Sequence, residues 1–444
     1  MNRREFCRNA AMAAAGLALP KWILSQCEAA DTPASAAKPS SRPNIIFILA
    51  DDLGLGDLAC TGSDKFKTPN IDELAKNGLR FEHCYATPLC GPSRCMLMTG
   101  RYPFRTGMTH NRTDGPDVMN PKTMVMFPQL LKQAGYVTAA CGKWYHLSLR
   151  PSDWGCDEYL MFGGGGGVYW PKDDKDNSSY EVNGKTIKFT KGYMPDLMHD
   201  WVVDFMTRHK DKGDPFFIYY SLSHIHSQVQ PTPDSAAGSD DKVLYGDMVA
   251  YMDKLMGKLM TELDNLKLRQ NTLIVFAGDN GTWSRYANYS TIDGKRLSGA
   301  KTTLSEGGCR VPLIINWPSV TPVGKVSKDL TDFSDFLPTM VEVAGAKMPE
   351  GVKIDGQSLV LQIKGQPGKP RKWVYSELDG QCYVRNDRWK LTGRGELFDM
   401  KEAPFQEIPV PADTNDPQAQ AARKALHDVL TNELKGCQVG EKTG

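Results

Sequence analysis

Short apolar runs that alternate with helical patterns constrain the fold of this chain more than any other feature. Continuous runs of this kind are typical of strands that are buried on both faces of a sheet. Between two of them, residues 243–266 have helical periodicity, and residues 69–77 follow a candidate N-cap, Thr68. The alternation predicts an α/β fold with a large, mostly parallel sheet between layers of helices. The predicted strands lie at 44–50, 136–142, 215–223 and 311–318, with a further one in "NTLIVFAGDNG" from Asn271.

Polar side chains follow four of these runs directly. Because ligands of open parallel sheets bind at the carboxyl ends of strands, these side chains can meet at one edge. Each group alone also fits a simple turn, but their shared position predicts a site. The groups are Asp51 and Asp52, Lys143, His224 and His226, and Asp279 and Asn280.

The acidic and amide groups at this edge predict a metal site. Asp51, Asp52, Asp279 and Asn280 offer only oxygen ligands, which suit a hard divalent cation such as calcium or magnesium rather than zinc or copper. Three carboxylates around a divalent ion leave a formal charge of about minus one. An anionic substrate therefore needs further cations, and the candidates are Arg94, Lys143 and Lys301.

The segment "LCGPSRCMLMTGRYP", residues 89–103, places Cys90 close to Pro92, Ser93 and Arg94. Such a thiol fits a nucleophile, a metal ligand, half of a disulfide or the precursor of a modified residue. The chain has no CxxC pair, which gives no support to a zinc ribbon or a thioredoxin-type motif.

Both ends of the chain differ from its middle. Residues 1–42 predict an export signal of the twin-arginine kind, with Arg3 and Arg4 before an apolar stretch, and a linker. We therefore expect the protein in the periplasm or outside the cell, with a lipid anchor at Cys27 as an alternative. Residues 371–444 predict a small subdomain with an antiparallel sheet and a closing helix at 417–434, which leaves 43–370 as the catalytic domain.

Charge and hydropathy exclude several classes of function. The formal net charge is +1, which argues against a general nucleic-acid or membrane-surface binder. After the signal region, no stretch is apolar for long enough to span a bilayer.

The segment around Cys90 resembles the signature of the type I, formylglycine-dependent sulfatases, an arylsulfatase-like family of the alkaline phosphatase superfamily. Its core is Cys-x-Pro-Ser-Arg followed by Thr-Gly-Arg, here Cys90 to Arg94 and Thr99 to Arg101. The resemblance also covers "ADDLG", "CGKW", "GDNG" and "KTTLSEGGCRVPLI". It implies an alkaline phosphatase-like sheet and hydrolysis of sulfate esters, with sulfated carbohydrates or aryl sulfates as substrates.

The resemblance also implies the chemistry of the site. Cys90 would become formylglycine, made by a formylglycine-generating or other sulfatase-maturing enzyme, and its hydrated aldehyde would accept and then release the sulfuryl group. One calcium ion would be held by Asp51, Asp52, Asp279, Asn280 and modified Cys90. Arg94 would steady the diol, and Lys143 and Lys301 would contact sulfate oxygens. His226 would be the general acid on the leaving alcohol, and His146 the base that collapses the sulfated diol.

Two departures from the family pattern leave alternatives open. Tyr145 lies between Trp144 and His146, so either a local bulge brings His146 to the site or the loop is shifted. "SHIHSQ" offers two histidines, of which we expect His226 to be catalytic and His224 to be structural. The rival functions are a phosphoester or phosphonate hydrolase on the same scaffold and a non-catalytic glycan-binding relative.

Overall fold

The computed structural model describes residues 42–111, 119–163, 166–171 and 178–434. The predicted export signal and the alternative lipid anchor at Cys27 therefore lie outside the described residues. Within the described part of the chain, no helix combines the length and the apolar character that crossing a membrane requires.

A ten-stranded sheet forms the centre of the protein. Its strands in chain order are β1 (Asn44–Ala50), β2 (Leu79–Tyr85), β3 (Val137–Lys143), β4 (Glu158–Phe162), β5 (Ser179–Val182), β6 (Lys185–Lys188), β7 (Phe216–Leu222), β8 (Thr272–Gly278), β11 (Leu313–Asn316) and β12 (Lys325–Asp332); a separate short hairpin contains β9 (Thr291–Ile292) and β10 (Lys295–Arg296). Across the sheet the strand order is β12-β2-β11-β8-β1-β7-β3-β4-β5-β6.

The middle of the sheet is parallel, as the apolar runs predict. Strand β1 pairs with β7 on one side and β8 on the other, and every residue of these three strands is buried. Ala50 lies opposite both Leu222 and Gly278, so the three strands end level with one another. This register brings the residues that follow each strand to one edge.

Strand β11 differs from its neighbours in direction. It pairs antiparallel with both β8 and β2, while β12 pairs parallel with β2. Strands β5 and β6 also add in antiparallel fashion at the other side of the sheet. The fold is thus α/β with a mixed, mostly parallel sheet, which confirms the predicted class.

Helices cover both faces of the sheet. One apolar cluster contains residues of β1 such as Phe47 and packs against Phe336; the other contains Ile48 and packs against Met252. The helices are α1 (Pro69–Lys76), α2 (Cys90–Thr99), α3 (Pro103–Thr106), α4 (Phe127–Gln133), α5 (Met194–His209), α6 (Asp241–Asn265), α7 (Glu306–Cys309), α8 (Phe336–Ala344), α9 (Val360–Ile363) and α10 (Pro417–Asp428).

A small antiparallel sheet forms the C-terminal part, as predicted. Its five strands, in chain order and also in spatial order, are β13 (Val374–Leu378), β14 (Gln381–Arg385), β15 (Trp389–Thr392), β16 (Leu397–Asp399) and β17 (Ile408–Val410). Buried contacts join Tyr85 and Cys309 of the main body to Val374 and Tyr383 of this sheet. The closing helix is α10, which continues as a π-helical turn over Val429–Glu433. The boundary at residue 370 stays a prediction.

Candidate active site

Backbone hydrogen bonds align the residues that follow the three central strands. The N–H of Asp51 donates to the carbonyls of Leu222 and His224, and the N–H of Asp279 donates to the carbonyl of Ala50. Because these bonds extend the pairing of β1, β7 and β8 by one step, the side chains of Asp51 and Asp279 meet at the carboxyl edge. Both are completely buried.

Asp52 turns the chain sharply at this edge. Its φ is +59°, in the left-handed region, where aspartate and asparagine are better tolerated than most residues. Its N–H donates to Asp279 Oδ1 at 3.0 Å, and its own Oδ1 accepts from Asn280 Nδ2 at 2.9 Å. The "DD" and "DN" dipeptides are therefore joined directly, as their positions after the strands predict.

Cys90 begins helix α2, and all ten residues of this helix are buried. Pro92 fits the first turn because the N–H groups there have no partner within the helix. The hydroxyl of Ser93 accepts from Thr87 N and donates to Thr87 O, which holds the chain just before Cys90. Cys90 Sγ lies 3.2 Å from Asp51 Oδ1 and 3.8 Å from Asp52 Oδ1. The predicted reactive position thus lies beside the predicted metal ligands.

Arg94 lies one helical turn after Cys90, on the same face of α2. Its Nε and Nη2 donate to Asp279 Oδ2 at 3.0 and 2.8 Å. Its Nη1 donates to the hydroxyls of Tyr219 and Ser221 on β7. The side chain is completely buried and fixed from several sides, so it places a positive charge at the edge with little freedom to move.

Each of the two predicted lysines forms an ion pair with one of the aspartates that follow β1. Lys143 Nζ lies 2.6 Å from Asp51 Oδ2, and Lys301 Nζ lies 2.5 Å from Asp52 Oδ1. Burial disfavours the charged form of Asp51, but the nearby charges of Lys143, His226 and Arg94 hold the pKa of its carboxyl well below the ordinary value. Together with Arg94 and Asp279, the cluster contains three carboxylates and three cations.

The two histidines that follow β7 have different surroundings. His226 lies with Nε2 4.0 Å from Asp52 Oδ2, while its Nδ1 lies 2.6 Å from the carbonyl of Ser227. His224 points away into the interior and contacts the hydroxyl of Tyr193 at 3.2 Å. His226 therefore lies beside Asp52 and His224 does not, while the catalytic role expected for His226 stays a prediction.

His146 reaches the site through a short helical turn over Tyr145–Leu147. Tyr145 turns outward and is 58% exposed, whereas His146 is buried. A Cβ on Gly91, the residue after Cys90, would lie 3.4 Å from His146 Cβ. Burial, together with the charges of Lys143 and Arg94, lowers the pKa of His146 to about 3, so its imidazole is neutral at neutral pH.

The donor set fits a hard divalent cation. One ligand atom from each of Asp51, Asp52, Cys90 and His226 lies within 4.8 Å of the others. Asp52 Oδ2 and Asn280 Oδ1 are buried acceptors with no hydrogen-bond partner among the residues that the structure describes, a costly arrangement unless a cation binds there. Oxygen donors of this kind favour calcium or magnesium. His226 joins this group through a contact that the sequence did not predict.

The thiol of Cys90 is a poor nucleophile in this setting. Burial and the nearby carboxylates of Asp279 and Asp51 raise its pKa well above the ordinary value. Because the thiolate is the reactive form of cysteine, a protonated thiol has little reactivity.

Three residues near the site escaped the sequence analysis. Tyr219 and Ser221 hold Arg94, and Asn111 Oδ1 accepts from the N–H of Gly91 at 2.7 Å. Ser221 could have been noticed in the sequence, because it is a polar residue within a strand that is otherwise apolar and aromatic. No such pattern marks Asn111, which lies in a loop far along the chain from any predicted strand.

Comparisons with known proteins agree with this geometry. The sulfatase family model matches residues 43–346. N-acetylgalactosamine-6-sulfatase of Canis lupus familiaris is 33% identical over 80% of this chain and 72% of its own length. Arylsulfatase G of Rattus norvegicus is 32% identical over 85% of this chain and 81% of its own.

A solved structure gives the same result. The crystal structure of Ps i-CgsB in complex with k-i-k-neocarrahexaose superposes with a TM-score of 0.78 and 30% identity, covering 90% of this chain and 94% of that chain. Family model, relatives and fold agree, and this chain belongs to the sulfatases, which are sulfuric ester hydrolases with an alkaline phosphatase-like fold.

Proposed function

We propose that this sulfatase removes sulfate from carbohydrates with a formylglycine made from Cys90 and one bound calcium ion. The observation that carries the proposal is the meeting of Cys90 Sγ with Asp51, Asp52 and His226 within 4.8 Å. Arg94, Lys143 and Lys301 surround the same point.

Modification of Cys90 would supply the nucleophile that the buried thiol cannot. The hydrated aldehyde can carry the sulfuryl group on one hydroxyl and release sulfate when the other loses its proton. Cys90 lies at the N-terminus of α2, where the backbone N–H groups and the helix dipole favour negative charge. This requires a sulfatase-maturing enzyme as a partner of the newly made chain.

The metal ion would be held by Asp51, Asp52, Asp279 and Asn280 together with modified Cys90. Asp52 Oδ2 and Asn280 Oδ1, buried acceptors that have no partner in the described part of the chain, support this assignment. When bound, the ion supplies positive charge that stabilises an oxyanion. Three cationic side chains and a divalent ion against three carboxylates give the centre a net positive charge, which suits a sulfate group.

Charge and proton transfer would be divided among the remaining residues. Lys143 and Lys301 are proposed to contact sulfate oxygens; the support is that their ammonium groups pair with the carboxylates beside Cys90. His226 is proposed as the acid that protonates the leaving alcohol. His146, which is neutral at neutral pH, is proposed as the base.

Sulfated carbohydrates are the proposed substrates, with aryl sulfates as small analogues. The support is the names of the relatives: an N-acetylgalactosamine-6-sulfatase and a structure in complex with a neocarrahexaose. Export to the periplasm or beyond, through the predicted signal in residues 1–42, would bring the enzyme to such polymers.

Mass spectrometry of protein from its native host tests the modification. Trypsin cleavage after Arg80 and Arg94 gives one peptide that contains both Cys84 and Cys90. We expect an aldehyde at Cys90 and an intact thiol at Cys84, which is the control within the same peptide. An unmodified thiol at both positions in active protein would contradict the proposal.

Metal analysis and paired substrates test the rest. We expect one calcium per chain, loss of turnover after chelation, and recovery when calcium is added back. Aryl sulfate should be hydrolysed in preference to the matching aryl phosphate; the opposite preference would favour a phosphoester hydrolase. The described site has one histidine among its candidate metal ligands, and nothing in it favours that alternative.

A further inference from the structure

A polar pocket lies at the hairpin end of the C-terminal sheet, apart from the charged centre. Its volume is about 390 Å³, within the range of small-molecule sites. The lining side chains that can bind a polar ligand are Asp379, Gln381, Arg394 and Glu396, and Leu304 closes one wall. None of these belongs to the machinery described above.

The hairpin between β13 and β14 fixes one side of the pocket. Asp379 and Gly380 form its two-residue turn, with φ of +47° and +74°. An Asp-Gly pair with positive φ at both positions is a favoured tight turn whose twist matches the strands. The carboxylate of Asp379 is therefore presented from a rigid element.

Hydrogen bonds connect the pocket with the segment around Cys90 on two sides. On one side, Asp379 N donates to the carbonyl of Thr109, and two residues later Asn111 accepts from Gly91 N. Asp379 also lies 3.7 Å from His110 Nε2.

On the other side, the backbone links Leu304 to Cys90. Thr302 N, two residues before Leu304, donates to the carbonyl of Pro88, and Pro88 lies two residues before Cys90. Lys390 Nζ holds the carbonyl of Leu304 at 2.6 Å. Hydrogen bonds thus connect the pocket with the chain on both sides of Cys90, at Pro88 and at Gly91.

The side chains of the pocket suit a sugar ring. Carboxylates accept hydrogen bonds from hydroxyl groups, and a guanidinium donates two parallel bonds. Arg394 is exposed and makes no hydrogen bond or ion pair with any residue in the described part of the chain. Two acids against one arginine make the lining slightly negative, which favours a neutral ring over a second sulfated one.

We propose that this pocket is a second sugar subsite. It binds the hydroxyl-rich ring next to the sulfated residue, while the sulfate ester itself lies at Cys90. The inference rests on the proposed carbohydrate sulfatase activity and adds to it that the enzyme prefers oligosaccharides to monosaccharides.

Paired substrates test the subsite. The probes are 4-nitrophenyl sulfate, which carries no second sugar ring, and sulfated hexasaccharides from carrageenan and glycosaminoglycans with their matching sulfated monosaccharides. The variants are Arg394→Ala and Asp379→Asn, the second because asparagine keeps the positive φ. The matched control is Lys424→Ala, an exposed charge on α10 outside the pocket. All proteins are made with a sulfatase-maturing enzyme and calcium.

We expect each pocket variant to lower kcat/KM for the best hexasaccharide roughly tenfold, mainly through KM, since each loses a charge-assisted hydrogen bond. Turnover of 4-nitrophenyl sulfate should not change, and neither should either activity of the control. Equal effects on both substrates, no effect on the hexasaccharide, or a wild-type enzyme that prefers every monosaccharide would overturn the subsite. Failure of the wild type to hydrolyse even the aryl sulfate would instead contradict the proposed chemistry.

Discussion

Two buried groups of charges in this protein differ in what they leave unpaired. The first is the proposed catalytic centre around Cys90, called the catalytic centre below. The second, which we call the Arg371 cluster, consists of Arg371, Asp332, Asp335, Ser334 and Tyr102, and it lies where β12 meets α8. Both hold carboxylate side chains and an arginine side chain that are almost completely buried.

In the Arg371 cluster, each carboxylate oxygen has a donor. Asp332 accepts from Ser334 N and from the Tyr102 hydroxyl at 3.0 Å each. Asp335 accepts from Gln357 N at 2.8 Å, from Asp332 N at 3.0 Å and from the guanidinium of Arg371. A buried ionic group that is fully bonded in this way has a structural role.

The catalytic centre is bonded less completely. Asp52 Oδ2, Asn280 Oδ1 and His146 Nδ1 are buried without a partner among the described residues. Because an unsatisfied buried polar atom costs free energy, several of them grouped around Cys90 call for a ligand or a reaction. The comparison teaches that unpaired atoms, rather than buried charge itself, distinguish the reactive cluster from the structural one.

Asp52→Asn is the variant with the largest expected effect on activity. Asparagine keeps the shape and the positive φ of this position but removes the carboxylate that faces Lys301 and His226. We expect kcat/KM to fall roughly 10³-fold or more, by loss of electrostatic and metal stabilisation.

The matched control for this prediction is Asp335→Asn in the Arg371 cluster. It should lower the melting temperature while the folded fraction keeps its turnover. Turnover of Asp52→Asn within tenfold of the wild type would show that the unpaired carboxylate is not needed.

Arg371→Met tests the structural cluster directly. The methionine fills similar space but leaves Asp332 and Asp335 buried without their cation. Removing one partner of a buried ion pair costs about 3–5 kcal/mol of unfolding free energy. Urea denaturation followed by fluorescence measures this change, and kcat of the folded enzyme should stay near that of the wild type. A catalytic defect without a loss of stability would contradict the division between the two clusters.

His226→Gln tests whether His226 acts as a general acid in the catalytic centre. Loss of a general acid lowers rates by about 10²-fold or more when the leaving alcohol is a poor leaving group. We therefore expect a large drop in kcat with sulfated sugars and a smaller one with 4-nitrophenyl sulfate, whose phenol leaves readily. His224→Gln is the control, because His224 contacts Tyr193 in the interior. Equal losses on both substrates would show that His226 binds metal or sulfate rather than donating a proton.

The position of the candidate site, at the carboxyl ends of β1, β7 and β8, was predictable because it depends on local sequence patterns. Continuous apolar runs gave β1, β7 and β8, and the level ends of parallel strands then gave Asp51, His226 and Asp279 one location. Strand β12, "KVSKDLTD", gave no such signal because it lies at the edge of the sheet and only three of its eight residues are buried. The antiparallel direction of β11 was not predicted either, since a continuous apolar run does not show whether a buried strand is parallel or antiparallel to its neighbours.

Contacts between distant loops were beyond the reach of sequence patterns. Nothing local to Asn111 shows that it bonds Gly91, and nothing in "TGRYP" shows that Tyr102 joins Asp332 and Arg371. The family resemblance supplied roles for His146 and Lys301, but their placement depends on a short turn and on a loop fixed by long-range hydrogen bonds.

Tyr219→Phe has the smallest expected effect and tests how firmly Arg94 is held. The Tyr219 hydroxyl accepts one bond from Arg94 Nη1 at 3.1 Å, while Asp279 receives two bonds from the same guanidinium and Ser221 receives another. Because Arg94 keeps these partners, losing the hydroxyl should cost about 1 kcal/mol, a few-fold drop in kcat/KM. Steady-state kinetics with 4-nitrophenyl sulfate measures it, with Tyr220→Phe as the control, since that hydroxyl has no partner in the described chain. A hundredfold loss would place Tyr219 in contact with the reacting groups, and the catalytic centre would then extend along β7 into what we describe as its support.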